Sequence, residues 1–499
     1  MLHGGRLGSV REDVAKFTSS IKDDARLADA VIAINKAHVV MLMEQKIIKW
    51  QDGAKILKAL VKHSKIQIAP SAEDVHMAIE EAVLAETGPE VGGNLHIAKS
   101  RNDQVSTAIR MQLRKELLGI MFNVLDMQQS LLETANKHVD TVILEYTHLQ
   151  PAQPVTFAHY LLSHHDVLGR DLQRLLGAYE RVNLCPLGAG ALATTSFPIN
   201  RKRTAELLGF SDMLENSIDA VGSRDFIIET IAALTLVAIN LSRLAEDLII
   251  WSSPEFGTVE LPDEFTSTSS IMPQKKNPEV LEVIRARASY VLGDYVAATA
   301  ALKSLPTTYN LDFQEITPKL WASIDNLSSS LSIFAKLMPN LKVSTNVESK
   351  VAAGFVGATE LANMLVRKYN VPFRTAHMIS GAVVKALLDS KQTLLDATPQ
   401  LLEKVAQNSV GLKLAVKVED IVECTNPRKI IETYKVQGGP SPVEVERALT
   451  QRNRNLLLEQ KKVSELKQEL AKSESKLETI VDSYSLSNAP NANLKNLNL

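Results

Sequence analysis

The amino-acid sequence predicts an all-α protein, mainly helical and built around a bundle of long helices. Apolar residues recur at three- and four-residue spacing in seven segments, which is the period of one face of a helix. Several of these segments exceed 20 residues, whereas globular helices average about 11–12. Aromatic residues make up only 5% of the chain, and the alternation typical of β-strands is scarce. Long helices with short polar connections indicate a bundle, which can also be shared between subunits.

The predicted helices lie along much of the chain, at residues 27–45, 72–85, 105–139, 155–182, 226–251, 278–302 and 318–337. The most apolar of them is 226–251, where four charged residues interrupt the run. Its longest uncharged part, 230–242, is too short to span a bilayer. We therefore expect a buried bundle helix there and no membrane partner.

Changes in composition divide the chain into five predicted parts. These are a first helical domain at 1–100, a central bundle at 101–352, a small helical domain at 353–440, an extra charged helix at 441–484 and a disordered Asn-rich tail at 485–499. In the charged helix, Leu456, Val463, Leu470 and Leu477 repeat every seven residues. This weak seven-residue repeat is compatible with a coiled-coil-like contact. The many charged neighbours instead favour a solvated or loosely packed helix.

Bulk composition argues against several functional classes. The formal net charge is −2, so no basic field would attract nucleic acid. Cys185 and Cys424 are too few for a disulfide scaffold or a zinc cluster, which favours a reducing, cytoplasmic setting. The first residues contain no apolar stretch of the signal-peptide type. Neither a GxGxxG nor a GxxxxGK[ST] loop is present.

The segment 266–278, TSTSSIMPQKKNP, combines five hydroxyls, two lysines and an amide in one polar loop. We expect Asn277 to cap the following helix and Pro278 to be its first residue. A helix N-terminus beside two cations is suited to an anion, which suggests chemistry on an acidic small molecule. Lys275 and Asn277 could stabilise charge that develops on a carboxylate. Ser269 or Ser270 could serve as an oxygen base, provided that cations and amides lower its pKa. A flexible loop with solvated lysines is the alternative.

Two further polar segments interrupt the helical pattern. Residues 99–104, KSRNDQ, place an arginine fork beside an amide, which suits carboxylate recognition. The alternative is a polar loop whose Asn102 or Asp103 caps the next helix. Residues 146–154, YTHLQPAQP, hold His148 on a loop that two prolines keep out of helix. That histidine could transfer protons near neutral pH, although a lone histidine is more often structural.

Taken together, these segments resemble the fumarase/aspartase superfamily and, within it, the argininosuccinate lyase family. The superfamily's signature loop is Gly-Ser-Ser-x-Met-Pro-x-Lys-x-Asn-Pro, and residues 269–278, SSIMPQKKNP, match it in the form typical of that family. SRNDQV at 100–105 and YTHLQP at 146–151 resemble the other two shared regions. Shorter matches are TSSI at 18–21, EDVH at 73–76, CPLG at 185–188, SRDF at 223–226 and TYN at 308–310 with Gln314. The resemblance covers about residues 10–440 in the same order.

The resemblance implies three mainly helical domains in a homotetramer, with each active site formed where three subunits meet. The implied reaction is the reversible anti-elimination of argininosuccinate to fumarate and L-arginine, in arginine biosynthesis. By this resemblance Ser269 is the base, with Ser270 the second choice. Lys275 and Asn277 stabilise the aci-carboxylate, and His148, held by Glu282, is the general acid or a charge stabiliser. No metal or organic cofactor is expected.

The resemblance also implies a set of substrate contacts, of which the two aspartates would face the cationic end of the substrate. The set is Ser20, Asp24, Asp74, Ser100, Arg101, Asn102, Thr147, Arg224, Tyr309 and Gln314. The chain departs from the family's pattern at several positions. Thr268 replaces the signature glycine, and Thr317 replaces a lysine for which Lys319 could substitute. Lys99 and Ala98 replace an arginine and a glycine.

Two other functions are open at this point. A sister lyase would act on another fumarate adduct, such as adenylosuccinate. A non-catalytic structural homologue, of the kind that the lens δ-crystallins represent, would keep the fold and lose the chemistry. The complete set of Ser269, His148, Lys275, Asn277 and Glu282 argues against the second, and the Gln-Lys-Lys-Asn form of the loop argues against the first.

Overall fold

The computed structural model describes residues 11–64, 74–345 and 347–486. Its helices are α1 Glu12–Thr18, α2 Ile21–Asp24, α3 Ala28–Glu44, α4 Trp50–Lys62, α5 Val75–Thr87, α6 Pro89–Gly92, α7 Arg101–Lys137, α8 Phe157–Val182, α9 Arg201–Leu207, α10 Ser217–Gly222, α11 Asp225–Trp251, α12 Glu279–Leu302, α13 Asp312–Leu337, α14 Glu348–Ala353, α15 Ala358–Tyr369, α16 Phe373–Asp389, α17 Pro399–Val410, α18 Val418–Thr425, α19 Pro427–Thr433 and α20 Pro442–Leu486. Its strands are β1 Val142–Thr147, β2 Gln150–Thr156, β3 Leu184–Cys185, β4 Asp212–Met213, β5 Val259–Glu260, β6 Ser267–Thr268, β7 Lys276–Asn277 and β8 Lys342–Val343.

The long helices α7, α8, α11, α12 and α13 pack side by side as a central bundle. One continuous apolar core joins this bundle to α3, α4 and α5 on one side and to α20 along its length. A separate, smaller core lies among α15 to α18. Within the described residues the strands form four two-stranded ladders, so the fold class is mainly α, as predicted.

All seven predicted helices are present, with ends that shift by a few residues. The largest shift is at α13, which begins at Asp312 and has Pro318 inside the helix, whereas the prediction began at 318. α7 begins at Arg101 because Ser100, and neither Asn102 nor Asp103, is its N-cap, in a capping box with Asp103. The prediction for α12 is wrong at its first turn. Pro278 occupies the N-cap position and Asn277 belongs to β7, where it pairs with Ser267.

Strands β1 and β2 form an antiparallel hairpin that the sequence did not predict, although its prolines do exclude helix. His148 and Leu149 occupy its tip, with φ of +55° and +57°. Two consecutive positive φ values are the geometry of a tight hairpin turn. Pro151 and Pro154 are tolerated in β2 because this ladder has only two strands, so each has a free edge.

The prediction that α20 is loosely packed is wrong. Its seven-residue stripe of Leu456, Val463, Leu470 and Leu477 is buried in the main core, against α3, α4 and α7. Ion pairs such as Arg452 with Asp166 and Lys36 with Glu478 reinforce the contact. Ser485 and Leu486 form the end of this helix. The rest of the predicted disordered tail, 487–499, lies outside the described residues.

One helix, α11, is long and apolar enough to cross a membrane by length and composition alone. It packs against α8, α12 and α13, and side chains such as Leu234, Val237 and Leu241 are buried. The helix is therefore the interior element of the bundle that the sequence predicted.

Candidate active site

A cavity of about 360 Å³ opens between the N-terminal helices, the start of α7 and the turn into α13. It collects seven of the ten predicted substrate contacts, namely Ser20, Asp24, Asp74, Arg101, Arg224, Tyr309 and Gln314. These residues are far apart in the sequence, and the packing of α2, α5 and α7 brings them together. The cavity contains both carboxylates and guanidinium groups, so it can receive a ligand that carries both signs of charge.

Arg101 and Asp74 form an ion pair on the wall of the cavity, with Arg101 Nη1 donating to both carboxylate oxygens. Asp74 is also the N-cap of α5 and accepts the Met77 N–H at 2.7 Å. Burial alone would raise the pKa of Asp74. The charge and hydrogen bonds of Arg101, together with the Met77 amide, outweigh burial and lower the pKa. Asp74 is therefore a fixed anion at neutral pH.

Asp24 is the more weakly ionised carboxylate of the cavity. Burial raises its pKa to about 6, and the negative charge of Asp74 adds to the effect. The Ser20 hydroxyl donates to its Oδ2 and partly offsets the shift. Asp24 thus changes charge in the range just below neutrality.

Arg224 is the most deeply buried cation of the cavity, with only 1% of its surface exposed. Its Nη1 donates to the carbonyls of Val221 at 3.1 Å and Ser223 at 2.7 Å. Its guanidinium carbon lies 4.5 Å from the ring centre of Phe313. Among the described residues, Nε and Nη2 have no hydrogen-bond partner, and both atoms are buried. Burial lowers the pKa to about 10, so Arg224 stays charged at neutral pH and supplies a positive charge at the wall of the cavity.

Tyr309 and Gln314 lie at the rim formed by the turn into α13. Gln314 Nε2 donates to the Thr18 carbonyl at 2.9 Å, which links α13 to the N-terminal segment. Tyr309 packs edge-on to Phe313. Thr317 lines the cavity, but Lys319 does not and instead lies 3.8 Å from Asp294. Lys319 therefore does not replace the missing lysine in this chain.

His76 is a cavity residue to which the sequence reasoning assigned no role. It is 3% exposed, and neither ring nitrogen has a hydrogen-bond partner among the residues that the structure describes. Burial lowers its pKa to about 3, so the ring is neutral and can both donate and accept. The sequence could have indicated His76, since the match EDVH at 73–76 includes it. The resemblance implied a substrate contact only for Asp74 of that match.

The five predicted catalytic residues do not line this cavity. Three of them belong to the hairpin of β6 and β7. Ser269 Oγ accepts N–H groups from Ile271 at 3.3 Å and Met272 at 3.1 Å. Asn277 Nδ2 lies 3.4 Å from Ser267 Oγ. Thr268 is in β6 and pairs with Lys276, without a positive φ, so this conformation does not require the glycine of the signature.

The two consecutive lysines of the hairpin differ in their surroundings. Lys276 Nζ contacts Asp263 at 2.7 Å and Glu260 at 3.1 Å, and these hydrogen bonds raise its pKa. The Lys275 ammonium has no partner among the residues that the structure describes. Lys276 belongs to β7 and is held by the chain, whereas Lys275 precedes the strand and is available to a ligand.

The remaining predicted residues lie outside the cavity. Thr147 and His148 are exposed at the tip of the β1–β2 hairpin, and Glu282 is exposed in the first turn of α12. Ser100 caps α7, while Asn102 Nδ2 donates to the Ala191 carbonyl at 3.1 Å. Within the described ranges, no group of three or more His, Cys, Asp or Glu side chains could hold a metal ion.

Comparison with known proteins shows the class of enzyme to which the chain belongs. The family described as Lyase matches residues 8–293. A class II fumarase from Schistosoma mansoni has the same fold, with a TM-score of 0.70 over 86% of this chain and 96% of that one, at 15% identity. The chain is thus a lyase with the fold of the fumarase/aspartase superfamily.

The family within that class follows from closer relatives. The argininosuccinate lyase C-terminal family matches residues 355–432. The argininosuccinate lyase of Methanocaldococcus jannaschii is 44% identical over 479 residues, which are 95% of this chain and 98% of the relative. The chain belongs to the argininosuccinate lyase family. An EDDS lyase solved with formate is also similar, with a TM-score of 0.87 and 29% identity over 96% of this chain and 97% of that one.

Proposed function

We propose that this enzyme catalyses the reversible elimination of argininosuccinate to fumarate and L-arginine through the residues described above. The observation that carries the assignment is the composition of the cavity. Arg224 supplies a positive charge that attracts a carboxylate, and Asp24 and Asp74 line the same cavity, where a guanidinium or ammonium group can be bound. Argininosuccinate carries groups of both kinds.

Ser269 removes a proton from the carbon next to a succinyl carboxylate. A serine hydroxyl is a weak base, but the alkoxide form would accept the Ile271 and Met272 amides that already point at Oγ, and this lowers the pKa. No such amide contacts are present at Ser270 in the described structure. The geometry therefore favours Ser269 over Ser270 as the base.

The electron pair of the broken C–H bond first moves onto the carboxylate, which Lys275 and Asn277 stabilise as an aci-carboxylate. It then forms the double bond of fumarate as the C–N bond to the guanidinium breaks. The leaving nitrogen takes the C–N electron pair and a proton, and His148, oriented by Glu282, is the general acid or stabilises the charge. Among the described residues, none of the side chains in these reaction steps forms an ion pair that would compete with substrate.

These steps need the cavity and the exposed hairpins to meet, and one chain keeps them apart. We propose that a homotetramer unites them, with each site built from several subunits. The support is a group of exposed apolar side chains on α12, namely Val283, Tyr290, Leu292 and Val296. A bundle helix that leaves apolar side chains uncovered is suited to packing against other copies of the chain. A cytoplasmic setting, without nucleic acid or membrane, remains an expectation.

The test is fumarate release, followed by ultraviolet absorbance, from argininosuccinate, adenylosuccinate, aspartate, malate and EDDS offered separately. We expect turnover of argininosuccinate to exceed that of every other compound. Robust release from one of the others without release from argininosuccinate would contradict the proposal. No release from any of them, by a folded tetramer, would favour the crystallin-like alternative.

A further inference from the structure

Asp103, in the first turn of α7, is a completely buried carboxylate that does not line the cavity. A buried carboxylate is costly unless hydrogen bonds satisfy it. Here three backbone N–H groups do so. Oδ1 accepts from Ser100 at 2.9 Å, and Oδ2 accepts from Gly188 at 3.0 Å and Gly190 at 2.8 Å. The side chain thus joins the start of α7 to a loop that is distant in sequence.

The loop is shaped so that its amides converge on this carboxylate. Gly188 and Gly190 have φ of +86° and +62°, a conformation that favours glycine. A Cβ at Gly190 would lie 2.6 Å from the Thr194 carbonyl oxygen, and one at Gly188 would lie 2.7 Å from Arg201 Cγ. Both positions therefore have glycine for geometric reasons. The amides of Gly188 and Gly190 form a concave anion receptor, which the Asp103 carboxylate of the same chain occupies.

The next residue of the loop contacts a predicted substrate-binding residue. Asn102 Nδ2 donates to the Ala191 carbonyl at 3.1 Å. Asp103 and Asn102 are adjacent on α7, so one bonds the amides of the loop and the other bonds its carbonyl. On the other side of Ser100, the buried Lys99 ammonium donates to Asn35 of α3. The segment 99–103 is held from two directions by buried polar contacts.

We propose that Asp103 is a positioning residue, which holds the Gly188–Ala191 loop against the start of α7 and thereby fixes Ser100 and Asn102 in the direction that binds substrate. This rests on the proposed function, in which Ser100 and Asn102 contact argininosuccinate. Asp103 itself does not touch substrate. Its effect passes through the capped backbone at Ser100 and through the loop carbonyl that restrains Asn102.

The test compares Asp103→Asn with Asp171→Asn. Asp171 is a matched control because it is also completely buried on a bundle helix, bonded to Asn240 at 2.7 Å and Arg174 at 2.8 Å, and absent from the cavity lining. An asparagine at 103 has one acceptor oxygen, so it cannot serve Ser100 and both glycines together. We expect its KM for argininosuccinate to rise about tenfold or more, with kcat changing less. Asp171→Asn should lower the melting temperature while KM stays within about twofold.

A second variant disturbs the same contact by changing the loop and not Asp103. Gly190→Ala should displace the loop from Asp103 and raise KM in the same way, even if Asp103→Asn fails to fold. An unchanged KM in a folded Asp103→Asn or Gly190→Ala enzyme, or an equal rise in Asp171→Asn, would overturn the proposal.

Hydrogen exchange separates this proposal from the assignment of the reaction. The Gly188 and Gly190 amides should exchange slowly in the unaltered protein and at least about tenfold faster in Asp103→Asn, whatever the substrate is. If the unaltered enzyme does not turn over argininosuccinate, the proposed function fails while exchange still tests the loop contact. If exchange at both glycines is unchanged in Asp103→Asn, the positioning role fails even for an active lyase.

Discussion

The cavity and the β6–β7 hairpin differ in how the chain supports them. The side chains that line the cavity are held by other residues of the same chain, with Asp74 bound to Arg101 and Arg224 packed on Phe313. The hairpin projects outward, and its Lys275 has no partner among the described residues. The chain therefore builds the proposed binding half of the site within itself and leaves the proposed chemical half exposed. We infer that substrate recognition depends on the fold of one chain, and turnover on contact between chains.

The largest effect is expected at the hairpin. Ser269→Ala should lower kcat by about 10²–10⁴-fold, because it removes the base. The overall fold should persist, since only two local amides contact the hydroxyl. Fumarate release measures the first expectation and circular dichroism the second. Ser270→Ala is the matched control and should stay near the unaltered rate. If Ser270→Ala is instead the inactive variant, the base is misassigned.

The next largest effect should distinguish the two lysines of the hairpin, because only one of them is expected to affect turnover. Lys275→Ala is expected to lower kcat by about 10²–10³-fold, because it removes a cation that stabilises the developing charge. Lys276→Ala loses only ion pairs to Glu260 and Asp263, and exposed pairs of this kind contribute about 0–1 kcal/mol to stability. Steady-state kinetics of both variants decide the matter. Equal losses in kcat would contradict the assignment of different roles.

Substitutions inside the cavity should affect substrate binding more than turnover. Arg224→Lys keeps the charge but removes the planar guanidinium that lines the cavity, and KM is expected to rise about 10–100-fold. Arg110 offers a control, since it is also buried and lies over the ring of Phe226 but does not line the cavity. Arg110→Lys should lower the melting temperature without a comparable change in KM. A rise in KM of the same size in both variants would mean that Arg224 acts only through stability.

The pH dependence should reflect Asp24, whose pKa burial raises from 3.8 to about 6. Its folded-state pKa exceeds the unfolded value, so folding favours the protonated form. Its contribution to stability is greatest below about pH 4 and is lost as the pH rises through about 6. Activity should show the opposite trend, because the ionised carboxylate binds the cationic end of the substrate. We expect kcat/KM to rise through about pH 6, and this limb to disappear in Asp24→Asn.

That variant should also melt at a higher temperature than the unaltered protein at pH 8, because it removes a buried charge. The groups that face Asp24 are Asp23, Asp74, Arg101 and the Ser20 hydroxyl. If the acidic limb persists in Asp24→Asn, Asp24 is not the group responsible for it.

The smallest expected effect concerns backbone strain at the entrance to α7. Ala98 has φ of +62°, where a residue with a Cβ is strained by about 1–2 kcal/mol relative to glycine. Glycine costs about 0.5–1 kcal/mol more entropy on folding. Ala98→Gly should therefore increase the free energy of unfolding by about 1 kcal/mol or less, measured by denaturant titration. A clear loss of stability would show that the methyl group contributes packing that exceeds the strain.

The sequence predicted the long helices well, because an apolar period sustained over more than 20 residues leaves little ambiguity. It missed the β1–β2 hairpin, since prolines in β2 hide a strand that has a free edge. The burial of α20 was also missed, because a charged composition describes its exposed faces and not its seven-residue stripe. At the site, the family resemblance named Arg224 and Ser269, whose roles stay predictions. Their separation in space, and the support of Asp103 by Gly188 and Gly190, depend on long-range contacts that no local pattern encodes.

The central claim is that the binding half and the chemical half of each site come from different copies of the chain. Co-expression of Ser269→Ala with Arg224→Lys tests it most directly. Each variant alone should be nearly inactive at low substrate concentration. Mixed tetramers should recover activity, because a site can combine an intact hairpin from one chain with an intact cavity from another. Native mass spectrometry would verify that both chains are present. If verified mixed tetramers remain as inactive as each parent, the two halves act within one chain and the account is wrong.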